Sequence, residues 1–327
     1  MAAAAIEKHV RKAVRILREG DDDAKIAAAR NLANLADLGE NDYYTTVNEV
    51  RTAKAGGIPP LVELLRDGSA TAQACAAEAL GNLAYSSFNF KVLIAEAGGI
   101  PPLVELLRHG RANRKEKSAR ALGTLAWANH DNAVLIAEAG AIPLLVELLR
   151  DGTASGKEKS ARALCSLAGN NRANQVQIVA AGAIPPLVEL LRDGSAEAKL
   201  QAATALCYLA FNNDNKVAIA AAGGIPPLVE LLRVGSAAAK TSAAVTLRSL
   251  ADNNDASAVA IAAAVGFDAL VELARRGRVT VNNMTVVESA GIPAKRKAAL
   301  VAGQLLETAA PRIRVTKYIK ADIASYL

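Results

Sequence analysis

Apolar residues in this chain return as a repeated phrase. GGIPPLVELLRDGSA begins at Gly56 and comes back as GGIPPLVELLRHGRA at Gly98, GAIPLLVELLRDGTA at Gly140, GAIPPLVELLRDGSA at Gly182 and GGIPPLVELLRVGSA at Gly223. It then decays to VGFDALVELARRGRV from Val265. The markers Ile58, Ile100, Ile142, Ile184, Ile225 and Phe267 are spaced 42, 42, 42, 41 and 42 residues apart. So constant a period means one structural unit, repeated and stacked on itself.

Punctuation divides each unit into three helices. In the clearest copy a short helix near Asn174 to Ala180 stops at Gly182, as a left-handed cap requires. Pro185 and Pro186 open a second helix, where a missing N–H costs nothing, and Gly194 ends it. Ser195 is placed to cap a third helix running to about Ala210. The ends are altered copies. Val14 to Ala36 matches only the second and third helices, and Val14 lies 48 residues before Val62, so about seven residues within Glu40 to Val50 are extra. Ala294 to Thr308 reads as a third helix displaced by a longer loop, Arg278 to Ile292, with Pro311 as its stop. The chain is therefore parsed as a single repeat domain over 1–327. An N-terminal cap covers 1–40, a regular array 41–252, an irregular repeat 253–310 and a basic tail 311–327.

The third helices can be compared with one another. With position zero at Arg30, Glu78, Arg120, Arg162, Thr204 and Val245, Leu stands at +2 and +5 in all six, from Leu32 and Leu35 through Leu247 and Leu250, and Ala stands at −1. At 100° per residue these positions form one stripe, predicted to be buried. The opposite face varies from unit to unit. Position −4 reads Ile26, Ala74, Glu116, Glu158, Leu200, Thr241; position +4 reads Asn34, Asn82, Thr124, Ser166, Tyr208, Ser249. At +7 come Asp37, Tyr85, Trp127, Gly169, Phe211 and Asp252. Glu116 with Arg120 and Glu158 with Arg162 are spaced as i,i+4 pairs on solvated helix faces.

Composition agrees with an all-helical reading. Alanine supplies 72 of 327 residues, whereas sheet-rich folds draw on β-branched and aromatic residues, of which aromatics number only 11 here. The formal charge is +6, and residues 275–327 hold ten Lys or Arg against three acids, leaving 28 basic and 29 acidic groups in the rest. The excess is C-terminal, available to an anionic partner or membrane surface but expected to be a solvated cap. Three cysteines are too few for a secreted disulfide scaffold, and no apolar run reaches ~18 residues without a charge or a Pro-Pro break. A soluble cytoplasmic protein is the expectation.

Motifs for chemistry are missing from the sequence. No dinucleotide fingerprint follows a strand, and no phosphate-binding lysine loop, nucleophile elbow or paired-histidine metal motif is present. Cys165 and Cys207 sit at +3, Cys75 at −3, and His9, His109 and His130 are scattered over caps and loops. The expectation is no catalysis, no cofactor, no metal and no small-molecule substrate, with nucleic acid disfavoured for want of stacking aromatics.

The period, the three-helix punctuation and the AGAIPPLVELL signature resemble armadillo repeats, notably the Gly-Ile-Pro-Pro type of plant, algal and vacuolar armadillo proteins. The resemblance implies an all-α, right-handed α-solenoid of about seven repeats whose third helices line a concave groove. It also implies binding of an extended segment of a partner protein, with Asn side chains gripping the ligand backbone. Armadillo nuclear-import adaptors carry Trp at zero and Asn at +4; here zero has no Trp, and +4 has Asn only at Asn34 and Asn82. The candidate partner-binding residues are Arg30, Asn34, Glu78, Asn82, Tyr85, Glu116, Arg120 and Thr124, followed by Trp127, Glu158, Arg162, Ser166, Thr204, Tyr208, Phe211 and Ser249. The competing reading is a structural accessory subunit held in an assembly through its convex face, its basic tail and its loops, among them the insertion bearing Tyr43 and Tyr44.

Overall fold

The structure, a computed structural model, describes residues 2–35, 52–251, 257, 260 and 261. The insertion with Tyr43 and Tyr44, positions Asp37 and Asp252, the displaced helix Ala294 to Thr308 and the basic tail lie outside the described residues. Among the described residues every regular element is helical. The chain divides into two compact units, Met1–Ala181 and Gly182–Leu327.

Unit one opens with a two-helix cap, α1 (Ala2–Glu19) and α2 (Asp22–Leu35), followed by α3 (Ile58–Asp67) and α4 (Ala70–Ser86). Two full triplets come next: α5 (Phe88–Glu96), α6 (Ile100–His109) and α7 (Ala112–Ala126), then α8 (His130–Glu138), α9 (Ala141–Asp151) and α10 (Ala154–Ala168). α11 (Arg172–Ala180) closes the unit. Unit two holds α12 (Ile184–Asp193) and α13 (Ala196–Leu209), then the triplet α14 (Asn213–Ala221), α15 (Ile225–Val234) and α16 (Ala237–Ala251). The predicted helix boundaries agree with these to within two residues.

The breaks are built as the sequence demands. At the end of α5, Gly98 takes φ +75°, its N–H bonds to Ala95 O at 2.9 Å and the N–H of Gly99 bonds to Ile94 O at 2.9 Å. An added Cβ at Gly98 would meet nothing within 4 Å, so the backbone angle, not crowding, calls for glycine. Gly140 repeats the conformation one period on, at φ +82°. Proline then occupies the first turn of the second helices, and Ser69, Thr153 and Ser195 cap the third, each accepting from the backbone N–H three residues on.

Burial follows the stripe. Leu80, Leu83, Leu122, Leu125, Leu164 and Leu167 in unit one, and Leu206, Leu209, Leu247 and Leu250 in unit two, are all buried. In unit one the third helices stack in chain order, α2 on α4, α4 on α7 and α7 on α10, and each packs on the second helix of its own repeat. In unit two α13 stacks on α16. A single triplet cannot cover its own apolar face, so the neighbour's does it.

A polar device inside the core escaped the sequence reading. Asn132 Nδ2 donates to Lys91 O at 3.1 Å and Leu125 O at 3.2 Å, and Asn174 Nδ2 donates to Ala133 O at 3.2 Å and Leu167 O at 3.1 Å. In unit two Asn215 Nδ2 donates to Leu209 O at 3.0 Å. The first-helix Asn thus ties the end of the third helix before it, supplying partners to carbonyls that a helix terminus leaves open. The signal was available: Asn132, Asn174 and Asn215 recur at 42 and 41 residues.

Candidate peptide-binding face of the third helices

Opposite the leucine stripe, unit one presents the outer faces of α2, α4, α7 and α10. Arg30 and Arg162 are exposed, Glu78, Glu116, Arg120 and Glu158 half-buried. Tyr85 and Trp127, in the last turn of α4 and at the C-terminal cap of α7, are 56% and 52% exposed. In unit two Thr204 and Tyr208 are half-buried and Phe211 is 64% exposed. Large rings left open on the side that varies between repeats are suited to recognition, since aromatic anchors dominate binding energy at interfaces.

Three of the +4 side chains are corrected by the structure. Asn82, Thr124 and Ser249 are buried, at 4%, 8% and 8% exposure. Third helices stack closely in unit one, and at Asn82 the +4 side chain meets the neighbouring helix. Asn82 Nδ2 is spent on Ala33 O at 2.9 Å, joining α4 to α2, and Thr124 Oγ1 donates to Arg120 O at 2.9 Å in its own helix. Asn34 remains exposed, and Ser166, half-buried, donates to Arg162 O at 3.1 Å. The Asn grip that the resemblance implied is thus reduced to Asn34.

The i,i+4 charge pairs are also replaced. Glu116 accepts from Thr153 Oγ1 at 2.6 Å, and Glu158 holds the ammonium of Lys159 at 2.7 Å. Glu78 pairs across the α4–α7 boundary with Lys117. Lys115 reaches Glu147 of α9 at 3.4 Å. For Glu78, Lys115 and Glu116, stacking brings a partner from another helix nearer than one turn along the same helix, which a single-helix wheel does not represent. Glu158 pairs instead with its neighbour in sequence.

Close approach is clearest at the two glycines of position +3. A Cβ built on Gly123 would lie 2.9 Å from the Cα of Ala163, a backbone atom of α10 that has nowhere to go. On Gly81 the same atom would sit 3.4 Å from Ala121, an ordinary contact. The α7–α10 boundary therefore requires glycine and the α4–α7 boundary does not.

Trp127 is also held from behind. The Lys91 ammonium donates to Trp127 O and stands 4.8 Å from the ring centroid, a cation–π contact. Burial pushes the Lys91 pKa down to about 8. The lysine caps the end of α7 and fixes where the indole stands. In unit two, burial pushes the Cys207 thiol up, partly offset by a hydrogen bond with Thr246 and the charge of Arg248. Cys75, Cys165 and Cys207 are not in disulfides, and among the described residues no group of three potential metal ligands comes together. Among the described residues, too, no single helix is long and apolar enough to cross a membrane.

Comparison with known proteins agrees with this architecture. The family described as Armadillo/beta-catenin-like repeat matches residues 51–85, 89–127, 129–169, 171–211 and 212–252. The chain is 30% identical to an engineered protein of known crystal structure, with a TM-score of 0.67, covering 75% of this chain and 97% of that one. A second engineered protein gives a TM-score of 0.76 at 27% identity over 97% of this chain and 77% of its own. A designed armadillo repeat protein, solved in complex with the peptide (KR)4, gives 0.64 at 28% identity over 74% of this chain and 99% of that one. No curated protein matches. With five consecutive matched repeats covering over half its length and a 30% identical relative spanned almost end to end, the chain belongs to the armadillo repeat family.

Proposed function

We propose that this chain is a non-catalytic interaction scaffold, and that the outer faces of its third helices hold an extended segment of another protein. The carrying observation is the division of labour within these helices: the leucine stripe is identical in the six third helices compared and buried at Leu80 to Leu250, while the opposite face changes and keeps Arg30, Tyr85, Trp127, Arg162 and Phe211 open. The designed relative that binds (KR)4 supports a peptide as the class of ligand. Stacked helices advance by roughly 8–10 Å and an extended chain by about 3.3 Å per residue, so each repeat meets two or three ligand residues. The reading includes a cytoplasmic location.

Selection from a displayed peptide library, followed by titration of a selected peptide, tests it. Tyr85→Ala combined with Trp127→Ala is expected to weaken that peptide at least ~10-fold, each ring being a candidate hot spot, with the helical circular dichroism unchanged. Affinity equal to wild type would remove these faces from consideration. The accessory-subunit reading predicts instead that cross-links to a partner fall on the second helices, the loops and the tail.

A further inference from the structure

We propose that the α4–α7–α10 stretch of unit one takes a segment rich in carboxylates, with acidic side chains seated on Arg120 and Arg162. This rests on the scaffold reading above and specifies its ligand. α7 carries Arg114, Lys115, Lys117 and Arg120 against Glu116 alone, and α10 carries Lys157, Lys159 and Arg162 against Glu158 alone. Among the other third helices, α2 balances Asp22 and Asp23 with Lys25 and Arg30, and α4 bears only Glu78. In unit two α13 bears only Glu197 and Lys199, and α16 carries Lys240 and Arg248 without an acid. α7 and α10 are thus the two adjacent third helices of unit one with a basic excess. Outside residues 275–327 the chain has 28 basic and 29 acidic groups, so this excess is local and does not reflect a basic protein overall.

The charges on these helices are not equally free. Lys117 is taken by Glu78, Lys115 by Glu147 and Lys159 by Glu158. Arg114 Nη1 donates to Gln73 Oε1 at 2.8 Å, and Glu116, the acid nearest Arg120 in sequence, accepts from Thr153. Among the described residues no carboxylate lies within salt-bridge distance of Arg120 or Arg162. Both stand at position zero on adjacent helices, the centre of the varied face. Guanidinium forks are suited to bidentate carboxylate binding, and their charge-assisted hydrogen bonds are about twice as strong as neutral ones. One helix step of roughly 8–10 Å exceeds the span of a single anion but matches acidic residues two or three apart on an extended chain. A second, independent feature fits the same stretch: Trp127, half exposed at the end of α7, offers a ring to an apolar side chain of the same guest.

The test uses the full chain and fluorescein-labelled octapeptides (Glu-Ser)4, (Lys-Ser)4 and (Gln-Ser)4, read by anisotropy at low and at physiological salt. The acidic peptide is expected to bind at least ~10-fold tighter than the other two, the scale of one charge-assisted hydrogen bond. Arg120→Gln with Arg162→Gln should abolish that advantage, and Arg120→Glu with Arg162→Glu should reverse it in favour of (Lys-Ser)4. Circular dichroism of both double variants verifies that the fold is kept. Undiminished acidic binding by the Gln variant overturns the proposal and transfers the attraction elsewhere on the chain. A wild-type preference for (Lys-Ser)4, lost on Tyr85→Ala with Trp127→Ala, overturns the acidic class and leaves the scaffold reading standing. Failure of every peptide to bind or to shift Trp127 fluorescence overturns both. Competition by an oligothymidylate that depends on the same two arginines overturns the choice of carboxylates.

Discussion

α7 and α10 of unit one and α13 and α16 of unit two carry the same buried leucine register and differ in how each pair meets and in its outer face. Leu122, Leu125, Leu164 and Leu167 on one side, and Leu206, Leu209, Leu247 and Leu250 on the other, are buried at the same register. The first pair repeats Lys-Glu-Lys-Ser-Ala-Arg-Ala-Leu at 115–122 and 157–164 and meets across the bare backbone of Gly123. The second pair is joined by hydroxyls: Thr204 Oγ1 and Ser242 Oγ lie 2.9 Å apart, and Thr246 Oγ1, which also bonds Ser242 O in its own helix, donates to Ala203 O at 3.4 Å. In a stacked fold the shared stripe supplies the common core, so the contact between neighbours and the outer face are left to diversify separately.

The largest expected effect probes the shared part. Leu122→Ala should cost about 2–5 kcal/mol in chemical denaturation, and Leu206→Ala a similar amount, because both empty fully buried volume. A substitution harmless in one unit and severe in the other would break the claim of a common stripe. Next comes Asn132→Ala, which leaves the carbonyls of Lys91 and Leu125 without the carboxamide and should cost about 1–3 kcal/mol.

Glycine sharpens the contrast within unit one itself. Gly123→Ala pushes a methyl into the Ala163 backbone and should cost about 1–3 kcal/mol, the usual range for overpacking. Gly81→Ala meets only ordinary contact and should gain up to about 1 kcal/mol from helix propensity. Opposite signs for the same substitution, measured by denaturant titration, are the expected outcome.

A smaller, pH-dependent effect belongs to Lys91. Its pKa falls from 10.5 to about 8 on folding, so between these values the unfolded chain holds a proton that the folded chain lacks. Stability relative to Lys91→Met should therefore rise as pH goes from about 8 to 10 and be flat below, where both states are charged. Denaturation midpoints of the two proteins across this range check the slope. At the bottom of the scale, Arg120→Gln should change stability by no more than about 0.5 kcal/mol, as at other surface positions free of ion pairs.

Much of this was legible in the sequence. Among the described residues the 42-residue period, the Gly-break and Pro-Pro start, the Ser195 cap and the leucine stripe were recovered at their predicted residues, because each depends on backbone preferences or on one helix's own periodicity. What could not be read depends on distance between helices. A wheel puts Asn82, Thr124 and Ser249 on the open face, yet all three are buried, Asn82 against the neighbouring third helix. It pairs Glu116 with Arg120, yet Thr153 from the next repeat arrives first. Gly81 and Gly123 look alike in the phrase and differ by half an ångström in what surrounds them. The internal Asn ties were visible as a recurrence but carried no hint of what they bind until the helix ends were placed.

The central claim is that the varied face of the third helices receives a ligand, and the chain's single tryptophan stands on that face. Acrylamide quenching of Trp127 fluorescence, measured with and without a saturating selected peptide, tests it most directly. The account predicts that quenching falls in step with occupancy as the guest covers the ring. Quenching that stays constant at full occupancy would contradict it and place the ligand elsewhere.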